Sequence, residues 1–196
     1  MTERPTFLDE PPASADAERL YADDIESDGY VWNVSRLWCW RPDVYEGMAK
    51  LRGMITEDST LTDREIAVLV TATASALRDS YCSFAWGSRL ARLADDETAA
   101  GVIASDDGGL DERGRALAGW ARQVVRDPNG TTPGDVERLR AAGLSDREIF
   151  EATAYVGLRL AFSSVNDALG ADPDVELAEE APARVRAAID FGRSPA

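Results

Sequence analysis

The chain has two thiols, Cys39 and Cys82, and no histidine among its 196 residues. That absence removes every nucleophile that leans on an imidazole of the chain itself. No Ser-His-Asp or Cys-His arrangement can be assembled, and no zinc or iron site can be built on ring nitrogens. Two cysteines cannot make a thiolate-rich metal site either. Acid–base work at neutral pH then falls to Cys, Tyr, or a carboxylate with a raised pKa. In Asp79-Ser80-Tyr81-Cys82 the aspartate is a candidate helix N-cap, which places Cys82 in the first turn of the helix it opens. Free backbone N–H groups and the helix dipole favour a thiolate there. The charge of Asp79 opposes it, and Tyr81, Arg78 and Arg89 are neighbouring donors or charges. A thiolate so placed can attack a peroxide to give a sulfenic acid. The alternative is a small hydrophobe packed on an Ala-rich helix. Cys39, between Trp38 and Trp40, reads as core, with a remote resolving thiol for Cys82 as the alternative.

Other residues stand near this chemistry. Trp86 follows Cys82 by one helical turn, on the same face, where it walls a substrate pocket or fills core. Glu65 is a proton relay if buried, and otherwise a helix-capping glutamate like its twin Glu148. Arg159 and Asn166 sit in a long helix of mostly small and apolar residues, pointing into a pocket or satisfying helix ends. Asp106-Asp107 matches no calcium loop and reads as a solvated turn.

The elements that must position these residues are helical. Ala, Leu, Arg and Glu dominate from about residue 43 onward, and no alternating apolar–polar runs mark strands. Pro5, Pro11 and Pro12 keep the first dozen residues irregular. Helices are expected over Ala15–Ile25, ended by Asp28-Gly29, and from Pro42 to about Met54. The next starts at Thr62 or Asp63, with Glu65 closing a capping box and Ile66, Leu69, Val70, Thr73 and Leu77 forming one buried face. Further helices are expected at Ser80–Leu93, Asp96–Ala104, Asp111–Arg126, Pro133–Ala142, Ser145–Leu169 and Ala181–Asp190. Asp172-Pro173-Asp174 is expected to end the compact part. The hexapeptide Leu61-Thr62-Asp63-Arg64-Glu65-Ile66 recurs as Leu144-Ser145-Asp146-Arg147-Glu148-Ile149, each opening a long Ala-rich helix, which points to a duplicated helical unit. The domain plan is therefore an acidic N-terminal arm (1–30), a helical domain (31–174) and a C-terminal helical tail (175–196).

Charge excludes two classes of partner. The formal net charge is −15, and residues 1–30 alone carry nine acidic against two basic side chains. Such a surface repels phosphate backbones and anionic lipids, so neither nucleic acid nor membrane is an expected partner. No apolar run approaches a membrane span and no secretory leader stands at the N-terminus, so a cytoplasmic location is expected.

The segment Asp79-Ser80-Tyr81-Cys82-Ser83-Phe84-Ala85-Trp86-Gly87 resembles the active-site stretch of the alkyl hydroperoxidase D-like family, which includes the carboxymuconolactone decarboxylases. In the peroxidase branch that stretch reads Cys-x-x-Cys-x-x-x-His, preceded by an opener much like Asp63-Arg64-Glu65-Ile66-Ala67. The stretches Ala142–Ile149 and Phe162–Gly170 are similar to the family's closing half, so the resemblance spans about residues 33–174. By position, Cys82 matches the cysteine that becomes a sulfenic acid. Asp79 stands where the resolving cysteine would be and Trp86 where the histidine would be, and Glu65 lies about two positions from the relay glutamate.

The resemblance implies an all-α, multi-helix fold that assembles as a homo-oligomer, with no cofactor and no metal. It implies a small-molecule substrate, either a hydroperoxide or a small organic acid. The leading expectation is a peroxidase-like, antioxidant oxidoreductase with one redox cysteine and an external thiol as reductant. Cys82, Asp79, Glu65 and Tyr81 would be catalytic, and Trp86, Arg159 and Asn166 would bind substrate. The alternatives are a decarboxylase-like enzyme that uses a carboxylate or Tyr81, and a non-catalytic oligomer.

Overall fold

Helix starts are written into this chain as capping residues, and the structure turns where they stand. The computed structural model describes residues 6–196 and is all-α, with no strand among the described residues. The helices are α1 Ala15–Asp28, α2 Asn33–Trp38, α3 Pro42–Glu57, α4 Asp63–Leu77, α5 Ser80–Leu93, α6 Asp96–Ile103, α7 Glu112–Arg126, α8 Pro133–Ala141, α9 Asp146–Ala168, α10 Val175–Glu180 and α11 Ala183–Ala188. Pro5 lies outside the described residues, while Pro11 and Pro12 precede the first helix as expected. Gly29 at φ 84° ends α1 at the expected Asp28-Gly29 break, with the helix running three residues past Ile25. No helix among the described residues is long and apolar enough to cross a membrane.

The core is organised around α4. Every residue from Ile66 to Ser75 is buried, because α5, α6, α7 and α9 all pack against this helix. The sequence suggested a single buried face. The run of Ala, Val, Leu and Thr instead gives a helix covered all round. Leu77, expected on that face, is only half-buried at the helix end.

The two repeated hexapeptides do the same job twice. Thr62 and Ser145 each accept from the backbone N–H three residues on (3.2 Å in both), and Glu65 and Glu148 each reach back to the cap N–H (2.7 Å in both). Arg113 of α7 then joins the two copies, donating to both Glu65 and Glu148 and, through Nη1, to the Gly143 carbonyl at 2.7 Å.

After these matching starts the copies diverge. Helix α9 continues for 23 residues. Helix α4 stops at Arg78, which adopts the left-handed region (φ 61°) while Asp79 N–H closes back on the Ala74 carbonyl at 3.0 Å. Asp79 caps α5, and the chain doubles back.

The sequence expected the compact part to end at residue 174. It does not, because Asp174, Leu177, Ala178, Ala181 and Val185 are all buried, with α11 packed on α5 and α6. Helix α10 leaves no sequence signal, since its six residues are too few to show a helical period. Beyond α11, Ser80 Oγ donates to the Arg193 carbonyl (2.8 Å) and accepts from Arg193 N–H (2.9 Å), tying the tail to the start of α5.

Arg113 can be tested as the tie between the copies. Arg113→Met leaves two close carboxylates without their shared cation, and urea unfolding at pH 7 should show a loss of about 2 kcal/mol. Burial works against ionised Glu148, but hydrogen bonds from Ser145, Thr60 and Arg113 hold its carboxyl down at about 2. A depressed carboxyl contributes stability above its unfolded pKa of about 4.3, and that contribution is lost as pH falls toward 2. The gap between wild type and Arg113→Met should therefore be full at pH 7 and close between about pH 4.5 and 2.

Candidate active site

The N-terminus of α5 and the inward face of α9 meet at Cys82. Asp79 Oδ1 accepts from Cys82 N–H at 2.9 Å, and the Asp79 carbonyl accepts from Ser83 Oγ at 2.6 Å. This fixes the first helical turn, and Cys82 is only 2% exposed. From α9, Arg159 Nη2 donates to Cys82 Sγ at 3.1 Å and Ser163 Oγ lies 3.6 Å from the sulfur. Residues 155, 159, 162, 163 and 166 recur at helical spacing, which explains why Tyr155, Arg159, Phe162, Ser163 and Asn166 are buried together.

Aromatic rings hold the arginine. Its guanidinium carbon lies 5.2 Å from the Trp86 ring centre and 5.1 Å from that of Phe162. Phe162 stacks on Trp38 (5.4 Å, interplanar 4°), and Trp38 Nε1 donates to Asn166 Oδ1 at 2.8 Å. Arg52 of α3 also reaches Phe162, at 5.1 Å.

Electrostatics in this site pull both ways. Burial and then the charge of Asp79 push the Cys82 thiol up to about 12, against the opposing pull of Arg159 and Ser163. The helix position alone left the sign open, and complete burial decides it. At neutral pH Cys82 rests as a thiol with a cationic donor already aimed at its sulfur. The opposite outcome falls to Asp167, one residue past Asn166. Burial, and next the negative charge of Asp79, push its carboxyl up to about 7, while Arg193 opposes the rise. A carboxylate that titrates near neutrality is what a histidine-free protein needs for proton transfer. The sequence signal was an Asn-Asp pair inside an apolar helix, and only the Asn was singled out.

The structure brings together Cys82, Asp79, Trp86, Arg159 and Asn166. It does not bring Glu65 to them. That side chain serves its capping box and Arg113, and none of its hydrogen bonds involves Cys82. Tyr81 is buried, but its hydroxyl donates to Asp174, which also accepts Asn33 N–H at 2.9 Å. Neighbours in sequence on a helix point about 100° apart, so Tyr81 reaches Asp174 in the irregular segment before α10 while Cys82 faces α9. Arg78 lies over Phe191 (5.3 Å), and exposed Arg89 lies over Trp86 (5.1 Å). Cys39 is buried against α1, its sulfur 4.0 Å from the Ala17 carbonyl, and both cysteines are free. Arg52, Phe162, Ser163 and Asp167 were not singled out from sequence. Their signal, the α9 period seen together with the inner side of α3, requires knowing that those helices pack.

Neither protein-family profiles nor curated protein sequences match this chain. Solved structures do. An uncharacterised peroxidase-related protein from Ralstonia eutropha JMP134, described as an alkylhydroperoxidase AhpD core, superposes with a TM-score of 0.75 at 21% identity, covering 90% of this chain and 96% of that one. A peroxidase-related protein from Silicibacter sp. TM1040 gives a TM-score of 0.78 at 22% identity, covering 89% and 95%. The debrominase Bmp8 gives 0.69 at 15% identity, covering 93% and 96%. A cysteine-to-alanine variant of Bmp8 has been solved with 2,3,4-tribromopyrrole. At these identities the likeness is one of fold, and the fold is the one the sequence motifs resembled.

The opposing charges around the sulfur make a direct test. Asp79→Asn keeps an acceptor for the Cys82 N–H and removes the charge, so the thiol should titrate lower. Alkylation by iodoacetamide at pH 8 should be slow in the folded wild type and fast in urea. In Asp79→Asn it should rise by on the order of tenfold for each unit by which the pKa drops. An unchanged folded-state rate would show that burial alone governs this thiol.

Proposed function

We propose that this chain, an all-α protein with the alkyl hydroperoxidase D-like fold, is a thiol-dependent oxidoreductase that reduces a hydroperoxide at Cys82. The observation that carries the reading is the 3.1 Å hydrogen bond from Arg159 Nη2 to Cys82 Sγ. No ion pair among the described residues neutralises Arg159, so its charge is free to stabilise a sulfur anion. Buried charge–charge contacts of this kind are strong because water does not screen them.

The steps follow from the groups present. The thiol proton passes to Asp79, whose Oδ2 is buried without a hydrogen-bond partner. The sulfur, stabilised by Arg159, attacks the terminal oxygen of the hydroperoxide. The O–O bond breaks, the sulfur becomes a sulfenic acid, and the departing alkoxide takes the proton from Asp79 and leaves as the alcohol. One external thiol then attacks the sulfenic sulfur, giving a mixed disulfide and water. A second releases Cys82 as the thiol and departs as the oxidised disulfide. An external reductant is required because Asp79 stands where a resolving cysteine would be and Cys39 packs against α1.

A second reading is proton transfer on a small organic acid without redox chemistry. It is favoured by Asp167, held near 7 by burial and the neighbouring charge of Asp79.

Thiol-driven turnover of cumene hydroperoxide, with dimedone trapping and mass spectrometry, separates the two readings. The expected results are a dimedone adduct on Cys82, no turnover in Cys82→Ser, and a loss of about a hundredfold or more in Arg159→Met. Turnover retained in Cys82→Ser would eliminate the thiol reading.

A further inference from the structure

The cationic side of this site has more charge than the sulfur uses. Elsewhere in the molecule, inward-facing arginines hold carboxylates: Arg122 pairs with Asp107 (2.6 Å), and Arg113 with Glu65 and Glu148. This is the norm for a buried cation, whose desolvation is costly unless an anion compensates it. Arg159, 6% exposed, and half-buried Arg52 depart from it. Neither has a carboxylate among the ion pairs of the described residues. Each also keeps a buried N–H group with no acceptor, Nη1 of Arg52 and Nε of Arg159.

The two cations are close. Both guanidinium carbons lie 5.1 Å from the centre of the Phe162 ring, so at most twice that distance separates them. Burial and then the charge of Arg159 depress the pKa of Arg52. A guanidinium nevertheless stays protonated in proteins, so both charges persist. In a chain with 36 acidic against 21 basic residues, two like cations against one ring, each with a buried N–H that has no acceptor, stand out from the paired arginines. The surrounding side chains describe the rest of the ligand. Trp38, Tyr45 and Phe162 pack mutually at 5.4 to 6.2 Å, and the Trp86 ring centre lies 5.2 Å from the Arg159 guanidinium carbon.

We infer that Arg52 and Arg159 form a carboxylate-binding site, and that the hydroperoxide presented to Cys82 also carries a carboxylate on an apolar, ring-sized body. The guanidinium forks match a carboxylate and the aromatic cluster matches the body. Arg159 donates to Cys82 Sγ as well, so the carboxylate anchors the substrate within reach of the sulfur. The inference deepens the reading of Cys82 as the reacting group and depends on it only for which atom reacts.

The test uses binding, so it stands apart from turnover. Full-length protein is titrated with benzoate and with benzamide, its uncharged isostere, and followed by tryptophan fluorescence. Benzoate should bind saturably and at least about tenfold more tightly than benzamide. Arg52→Gln should abolish that preference and Arg52→Lys should recover part of it. Cys82→Ala should keep it, whether or not the wild type turns over peroxide. The comparison of the two ligands on wild type needs no variant to fold. Equal binding of benzoate and benzamide, no saturation by benzoate, or an unchanged preference in folded Arg52→Gln would each overturn the inference. So would inorganic phosphate displacing benzoate at equal or lower concentration, which would mark a general anion hole.

Discussion

Asp79 is a buried carboxylate at the point where one helix must end and another begin, and much of the site follows from it. Its Oδ1 satisfies the Cys82 N–H, which fixes the first turn of α5 and the direction of the thiol. The same side chain carries a charge that water does not screen. That charge helps hold the proton on Cys82 and helps lift Asp167 toward neutrality. A cap at the surface would have given the helix start without the electrostatics. Arg159 and Ser163 answer the charge from the opposite helix, so the sulfur sits between a group that favours its proton and groups that favour its loss. Such a thiol is quiet at rest and poised for a substrate that alters the local balance.

Two matching helix starts with different endings explain how the two helices come to face each other. The paired capping boxes and Arg113 hold the starts of α4 and α9 side by side. From equivalent starts, one copy breaks at Arg78 and the other runs on. The break costs a left-handed arginine, on the order of 1 kcal/mol, and it turns α5 back toward the unbroken helix. Glu65 is conspicuous in sequence because of this tie. Its twin Glu148 closes the equivalent capping box and shares Arg113, and that marks both as structural.

Local chemistry made much of the fold legible. The bounds of α5 fall where Asp79 and Ser80 placed them, and both capping boxes close as the sequence pattern requires. What one-dimensional reasoning could not reach were properties of packing. The sign of the Cys82 shift needed its burial. The role of Tyr81 needed Asp174, 93 positions away in sequence. Arg52 needed α3 laid against α9, since nothing in its own helix distinguishes it. The expected boundary at residue 174 failed for the same reason. Asp172-Pro173-Asp174 interrupts the helices, but Val185 beyond it enters the core and closes over α5 and α6.

Net charge and local charge point in opposite directions here, and the contrast bears on selectivity. A surface carrying most of a −15 balance slows the approach of anions in general. An interior with two cations and idle N–H donors rewards an anion whose apolar body can pack against Phe162 and Trp86. Small inorganic anions meet the long-range repulsion and gain little from the rings. An aromatic acid gains from both the rings and the guanidinium groups, with the desolvation of its carboxylate offset by donors already stripped of water. The absence of histidine fits the same economy of groups. Where a histidine would titrate near neutrality, this protein has the Asp167 carboxyl, lifted by burial and by Asp79, beside a thiol that burial and the same aspartate keep protonated.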